Sequence, residues 1–213
     1  MKQKCLSWSF LVVVGVVVVC MMVSIQDGWA GERLPGWSSG LNFGPGWFLD
    51  GYLSTGGSGR AFLEYAPYIP EIGIKLTGGY LYFQDDVTVG KGGFMSSKTA
   101  VYNSFYCTGG LVYRLSRRHV VPFLTGNLGV YRYNKDTVEP GVGPIINGEH
   151  VSPYPVVNTK TGYALGVNGG GGIEWFLGNH LSLSLEGLIH LTFGEECDQI
   201  LDVTAMFRFL PGK

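Results

Sequence analysis

The sequence predicts an all-β protein: an eight-stranded antiparallel up-and-down transmembrane β-barrel that follows a cleaved signal peptide. Three observations support this prediction. The 213 residues combine 34 glycines and 14% aromatic residues with only 15% charged residues, whereas average usage is about 7% Gly and about 25% charged. Apolar and polar residues alternate with a period of two over long segments. The connections between those segments alternate between short and long, as in bacterial outer-membrane barrels.

Residues 1–30 are predicted to be the signal peptide. Lys2 and Lys4 precede an uncharged run over 5–23, and a polar stretch then ends on Gly28-Trp29-Ala30. A positive start, an apolar centre and a small-x-small ending are the three parts of a secretory signal, with cleavage after Ala30. The apolar run is also long enough to leave open the alternative of an uncleaved membrane anchor.

The clearest strand is His180–Phe193. Its odd-numbered positions are apolar or glycine, and its even-numbered positions are mostly polar. Successive side chains of a strand point to opposite faces, so this segment has one apolar face and one mostly polar face. It is also longer than the roughly 9–11 residues that a tilted strand needs to cross a bilayer.

The same pattern divides the rest of the chain. A short periplasmic segment over 31–45 is expected to precede the barrel domain at 46–213. The predicted strands are Gly46–Ser54, Arg60–Ile69, Ile72–Phe83, Thr99–Leu115, Val120–Tyr133, Thr161–Leu177, His180–Phe193 and Gln199–Leu210. The connections at 70–71, 116–119 and 178–179 are short, whereas those at 55–59, 84–98, 134–160 and 194–198 are longer. The even strand number and the two kinds of connection favour a membrane barrel over a soluble one.

Aromatic residues are predicted to mark the two membrane interfaces, where amphipathic rings are favoured. Tyr80, Tyr82 and Tyr163 lie on the outward register toward the long loops, and Tyr113, Trp175 and Phe209 lie on it toward the short turns.

Charged side chains are predicted to line the interior. The inward register holds Asp50, Glu64, Lys75, Arg114, Glu174, Glu186, His190, Asp202 and Arg208. Isolated buried charges are very costly, so these groups must pair or stay hydrated. An eight-stranded interior is about wide enough for side chains alone. That size favours a salt-bridge network over the alternative of a polar pathway for a solute.

No metal or cofactor is predicted. The four histidines and the cysteines lack the paired spacing of a zinc site, and the glycine run 169–172 leads into a strand rather than into the helix that a dinucleotide loop requires. Cys107 and Cys197 lie on strands or loops that are not neighbours in the predicted barrel, so both thiols are expected to be free. The net charge of −1 offers no footprint for nucleic acid.

Two segments, Val121–Tyr131 and Gly170–Gly187, resemble the last strands of the OmpA/OmpX/OmpW-like outer-membrane β-barrel proteins. The resemblance covers about residues 120–210 well and 46–115 by pattern alone. It implies a monomeric barrel in the outer membrane that contacts outer-membrane lipid and lipopolysaccharide, and that the barrel assembly machinery inserts.

The function expected from this resemblance is structural, surface contact or permeation of small molecules, with partners meeting the loops Gln84–Lys98 and Asn134–Lys160. An enzymatic alternative comes from a resemblance to lipid A deacylases, which carry a His-x-Ser on the penultimate strand and a Glu on the last. His190, Thr192 and Asp202 lie at similar places and would form an esterase site in that alternative.

Overall fold

The computed structural model describes residues 36–49, 55–67, 71–91, 94–116, 119–139, 145–146, 149–150, 156–178, 180–194 and 198–210. The predicted signal peptide at 1–30, together with Asp50 and Cys197, lies outside these residues. Within them, no helix is long and apolar enough to cross a membrane. The strands are β1 (Gly36–Phe48), β2 (Thr55–Ala66), β3 (Ile72–Lys91), β4 (Phe94–Arg114), β5 (Val120–Glu139), β6 (Ile145–Ile146), β7 (Glu149–His150), β8 (Val156–Phe176), β9 (Leu181–Phe193) and β10 (Gln199–Phe209).

Eight of these strands form one closed barrel in the order β1-β10-β9-β8-β5-β4-β3-β2. Every neighbouring pair is antiparallel, and β1 pairs with β10 to close the sheet. The short β6 and β7 form a separate two-stranded sheet. The predicted eight-stranded antiparallel barrel is confirmed. Its turn end carries the connections β2–β3, β4–β5 and β8–β9, and the opposite end is called the loop end.

The first strand begins earlier than predicted. Residues 36–45, predicted to be a periplasmic segment, belong to β1, and residues 55–59, predicted to be a connection, belong to β2. The predicted strand at 46–54 is strand only to Phe48, and 50–54 lie outside the described residues. The sequence Gly44-Pro45 is typical of a turn, but here it lies inside a strand. Because proline has no N–H to donate, the pairing of β1 with β10 is interrupted between Phe43 and Gly46 while the pairing with β2 continues.

Two predicted loops are largely strand. Residues 84–91 pair with 94–101, and residues 134–139 pair with 156–161. The prediction of a loop was therefore wrong for most of Gln84–Lys98 and for the two ends of Asn134–Lys160, within which 140–144, 147–148 and 151–155 lie outside the described residues. The reason is that backbone pairing does not require an apolar face, so the ladders continue after the apolar alternation ends.

The barrel wall is apolar outside and mixed inside. Large hydrophobic side chains stay exposed on the outer wall, among them Leu128 at 64% and Leu165 at 63%. On β9 the even-numbered residues are buried and the odd-numbered residues face outward, as the alternation predicts. An exposed apolar wall of this kind suits contact with lipid and leaves the interior to polar and aromatic side chains.

Two adjacent glycines of β3 provide a test of packing inside the barrel. A side chain at Gly79 would overlap the ring of Tyr106, whereas no atom lies within 4 Å of a side chain started at Gly78. Tyr106 has little freedom to move, since its ring is 5.2 Å from that of Tyr131 and 5.3 Å from that of His190.

Gly79→Val is therefore expected to lower the free energy of unfolding by about 1–3 kcal/mol through overpacking. Gly78→Val is the matched control, because it adds the same side chain one residue away on the outer wall. Urea unfolding of the refolded variants in lipid vesicles, followed by tryptophan fluorescence, measures both. Equal midpoints for the two variants would contradict the packing described for Tyr106.

Candidate functional site

Four charged side chains form a closed ring across the interior at the turn end. Glu64, Arg114, Glu174 and Arg208 come from β2, β4, β8 and β10, which are every second strand around the barrel. Each arginine bridges both glutamates: Arg114 contacts Glu64 at 2.7 Å and Glu174 at 3.2 Å, and Arg208 contacts the same two carboxylates at 2.8 and 3.2 Å. We call this set the turn-end ring.

The turn-end ring is fully enclosed. Its side chains are at most 2% exposed, so the cost of removing four charges from water must be offset by their mutual contacts. Alternation of sign around the ring gives every carboxylate two guanidinium partners. Ser182 adds a hydrogen bond to Glu174 at 2.6 Å. The ring thereby joins four strands across the interior through matched ion pairs.

A second ionic network lies nearer the middle of the barrel. Glu186 of β9 accepts contacts from Arg60 at 3.0 Å, from Lys75 at 3.3 Å and from the amide of Asn42 at 3.1 Å. Arg60 also reaches Asp202 at 3.5 Å and donates to the hydroxyl of Thr204. The contacts of Glu186 and Arg60 thus link strands β1, β2, β3, β9 and β10.

A chain of polar side chains continues this network toward β5 and β8. His190 Nε2 is 3.5 Å from Asp202, and its Nδ1 is 3.0 Å from the Tyr131 hydroxyl. Asn168 donates to that hydroxyl at 3.1 Å and accepts from Asn127 at 2.6 Å. The polar contacts therefore run from β3 across the interior to β9 and β10, and from there to β5 and β8.

Apolar side chains fill the spaces between and above the two networks. Phe62 lies between them, with Lys75 Nζ 4.9 Å and the Arg208 guanidinium 5.3 Å from its ring centre, and it packs with Val112, Phe123 and Met206. At the loop end the interior is filled by Leu81, Phe83, Tyr102, Tyr106, Tyr131 and Ile200. The described interior is therefore occupied at several levels along the barrel axis.

The predicted lumen residues can be placed directly. Glu64, Arg114, Glu174 and Arg208 meet in the turn-end ring, and Lys75, Glu186, His190 and Asp202 meet in the middle network. Asp50 lies outside the described residues. Arg60 also lies inside the barrel and is 4% exposed, but it is absent from the predicted interior residues. The reason is that the predicted strand begins at Arg60. The alternation of Arg60, Phe62 and Glu64 with Ala61 and Leu63 would have indicated it.

Comparison with known proteins identifies the architecture. No family model and no curated protein matches the sequence. Among solved structures, neisserial surface protein A (NspA) is similar over 84% of this chain and 99% of its own, with 12% identity and a TM-score of 0.50. Ail, the attachment invasion locus protein of Yersinia pestis, is similar over 81% of this chain and 96% of its own, with 13% identity and a TM-score of 0.45. The N-terminal β-barrel domain of Pseudomonas aeruginosa OprF is similar over 81% of this chain and 97% of its own, with 10% identity and a TM-score of 0.38.

The chain has the fold of the small outer-membrane β-barrels.

The aromatic residues predicted for the interfaces of this outer-membrane barrel fold all lie on its outward register. Tyr82 and Tyr163 are exposed toward the loop end, with Tyr80 half-buried beside them, and Tyr113 and Phe209 are exposed toward the turn end, with Trp175 half-buried. The two groups are separated by the aliphatic part of the wall.

In the described structure, the hydrogen bonds of His190 and Thr192 join them to other residues rather than to each other. Both ring nitrogens of His190 face other groups, Tyr131 and Asp202. The hydroxyl of Thr192 accepts a hydrogen bond from the backbone N–H of Asp198 at 3.3 Å. Activation of a hydroxyl requires a base within hydrogen-bond reach, and the structure gives His190 a role in the polar network instead. Among the residues described, no group of three or more His, Cys, Asp or Glu side chains could hold a metal ion.

Cys107 is a free thiol on the outward face of β4. It lies between Phe105 and Gly109 on the apolar wall, where lipid would exclude water. Cys197, predicted to be free and reactive from outside the cell, lies outside the described residues.

In a Cys197→Ser background, a water-soluble maleimide is expected to leave Cys107 unlabelled in lipid vesicles and to label it after unfolding in urea. A water-soluble reagent must reach the thiol to react with it, and the lipid around the apolar wall keeps it away. Adding Thr161→Cys gives a positive control, because Thr161 is exposed beyond the apolar wall. Mass mapping of the labelled peptides provides the measurement, and rapid labelling of Cys107 in the folded protein would contradict its placement against lipid.

Proposed function

We propose that this chain is an integral outer-membrane protein that makes contacts at the cell surface through a sheet projecting beyond its barrel. The proposal rests on one observation: within the described residues, β3, β4, β5 and β8 continue past the level at which the adjoining strands β2 and β9 end. Among those residues, the last pair of β2 with β3 is Thr55–Gln84, and the last pair of β9 with β8 is Phe193–Leu165. We call the segments 85–91, 94–101, 134–139 and 156–164 the extended sheet.

The apolar wall supports the membrane part of this proposal. Strands with alternating outward apolar residues, closed into a barrel without edges, satisfy every backbone group inside a bilayer. The partners proposed with this location are outer-membrane lipid and lipopolysaccharide around a monomeric barrel, and the barrel assembly machinery during insertion.

The filled interior favours contact over permeation. A solute would have to displace the turn-end ring, in which each arginine holds two buried carboxylates. Breaking one such buried pair costs about 3–5 kcal/mol. A structure that keeps its interior closed in this way is better suited to anchoring a surface element than to conducting.

The extended sheet has the geometry of a contact surface. Within the described chain, residues 85–91 of β3 and 156–164 of β8 have a strand neighbour on one side only. Strand edges present unpaired N–H and C=O groups, to which an extended peptide can add as a further strand. We therefore expect a partner to bind along these edges.

The experiment compares the full chain with a trimmed variant in which residues 136–159 are replaced by a short Asn-Gly turn. Lys135 and Lys160 pair directly, so the barrel below them should close as before. Cells expressing each protein are tested for adherence to immobilised extracellular proteins, with barrel amount and heat-modifiable gel mobility as controls. Adherence that depends on expression and is lost on trimming supports the proposal.

Planar-bilayer recording of the purified full chain tests the permeation alternative. Stable channel steps from the full chain, together with unchanged adherence of the trimmed variant, would overturn the contact role in favour of permeation.

A further inference from the structure

The outer wall carries a shallow apolar groove over small side chains of three neighbouring strands. Its floor is formed by Ala61, Gly78 and Cys107, which are direct neighbours on β2, β3 and β4. Tyr80 and Phe105 border it toward the loop end, with ring centres 4.6 Å apart. The groove is shallow and open along the wall, with a volume of about 660 Å³.

One exposed cation, Arg132, lies at the edge of this groove, whereas Arg60, which also lines it, is buried and paired with Glu186 and Asp202. It is exposed on the outward face of β5, between Phe105 of β4 and Tyr163 of β8 in the register. Within the described strands, it is the only charged side chain on the outer wall between the turn end and this level. The next acidic residue on its face of β5 is Asp136 in the extended sheet, four residues and about 13 Å farther along the strand. Arg132 therefore has no counter-charge at the level of the groove within the described chain.

The height of Arg132 on the wall indicates which group supplies that charge. On its turn-end side the next outward residue of β5 is Val130, and on its loop-end side it is Asn134. The aromatic residues Tyr80 and Tyr163 lie at the same level in the register. A change from apolar to polar residues with flanking aromatic rings marks the headgroup level of a bilayer. A guanidinium there is well placed to bind phosphate through two parallel hydrogen bonds.

We infer that the groove binds one phosphate-bearing, acylated lipid of the outer leaflet. Its phosphate pairs with Arg132, and one acyl chain lies over Ala61, Gly78 and Cys107. The inference rests on the proposed function in one respect: the loop end must face the outer leaflet. A second copy of this chain is a poorer occupant, because the described outer wall holds no acidic side chain at the level of the groove to meet Arg132.

The test uses the refolded full chain in neutral detergent micelles, with lipid A and its dephosphorylated form as probes. Binding is measured by native mass spectrometry across a lipid titration. The wild type is expected to prefer the phosphorylated form. Arg132→Gln should weaken binding of that form by about tenfold, the loss expected for hydrogen bonds to a charged group, and should leave the dephosphorylated form unaffected.

Filling the groove tests the acyl-chain contact. Gly78→Leu should weaken binding of both lipid forms, because its side chain would occupy the groove floor. Gly126→Leu is the matched control: no atom lies within 4 Å of a side chain started there, and Gly126 does not line the groove. Its binding should equal that of the wild type.

Three results would overturn the inference: equal binding of both lipid forms by the wild type, unchanged binding by Arg132→Gln, or a change of oligomeric state in Gly78→Leu on crosslinking. The last would assign the groove to contact between copies. Failure of the proposed function is distinguishable, because binding in micelles does not depend on orientation. A barrel inserted with its loop end inward, shown by protease protection of the extended sheet in intact cells, would remove the surface role and leave the micelle binding unchanged.

Discussion

Arg208→Met is expected to destabilise the barrel by about 3–5 kcal/mol, the cost of breaking a buried ion pair and leaving its partners uncompensated. Arg208 is one of two guanidinium groups in the turn-end ring, and its loss leaves one oxygen of Glu64 and one of Glu174 without their cation. Methionine keeps much of the side-chain volume, so the effect isolates the charge. Urea unfolding in phosphatidylcholine vesicles gives the free energy.

A double-mutant cycle with Glu64→Gln provides the control for that substitution. Glu64→Gln should cost less in the Arg208→Met background than in the wild type, because the two side chains share one contact. Additive effects, or an unchanged free energy of unfolding for Arg208→Met, would show that the ring does not stabilise the fold.

Leu185→Arg is expected to lower the free energy of unfolding in lipid vesicles by about 2–4 kcal/mol, because it places a charge on the lipid face well inside the apolar wall. Leu185 is 51% exposed on the outward face of β9, and both its neighbours on that face, Leu183 and Gly187, are uncharged.

Leu177→Arg is the depth control. Leu177 is also exposed, at 62%, but lies at the turn end, where an arginine should cost about 0–1 kcal/mol. If neither variant lowered the free energy of unfolding, the wall would not face a bilayer. Loss from Leu177→Arg alone would place the bilayer at a different height on the barrel.

The turn-end ring shows which features of the interior period-two alternation can predict and which it cannot. Alternation by itself places Glu64, Arg114, Glu174 and Arg208 on the inward register, because side-chain direction along a strand depends only on position. It does not determine that these four side chains meet at one level. That outcome depends on the stagger between strands around the closed barrel. The stagger is set by the pairing of residues that lie far apart in the chain.

The first strand shows where local signals failed. Gly44 and Pro45 are typical turn residues, and the sequence alone favoured a strand that begins after them. In the structure β2 pairs along the whole of β1, and that long-range pairing outweighs the interruption on the β10 side. The same reasoning applies to the extended sheet, whose backbone pairing continues where the side-chain pattern no longer indicates a strand.

The sequence by itself determined the class of fold and the side of the wall that each strand residue faces, because these follow from composition and a period of two. Only the tertiary structure decided which charges pair and which side chains occupy the described interior. It alone also showed that four strands extend beyond the barrel, and that Arg132 lies beside a groove with no counter-charge at that level among the described residues. Each of these depends on register between strands, and register is set by the closure of the whole sheet rather than by any one segment.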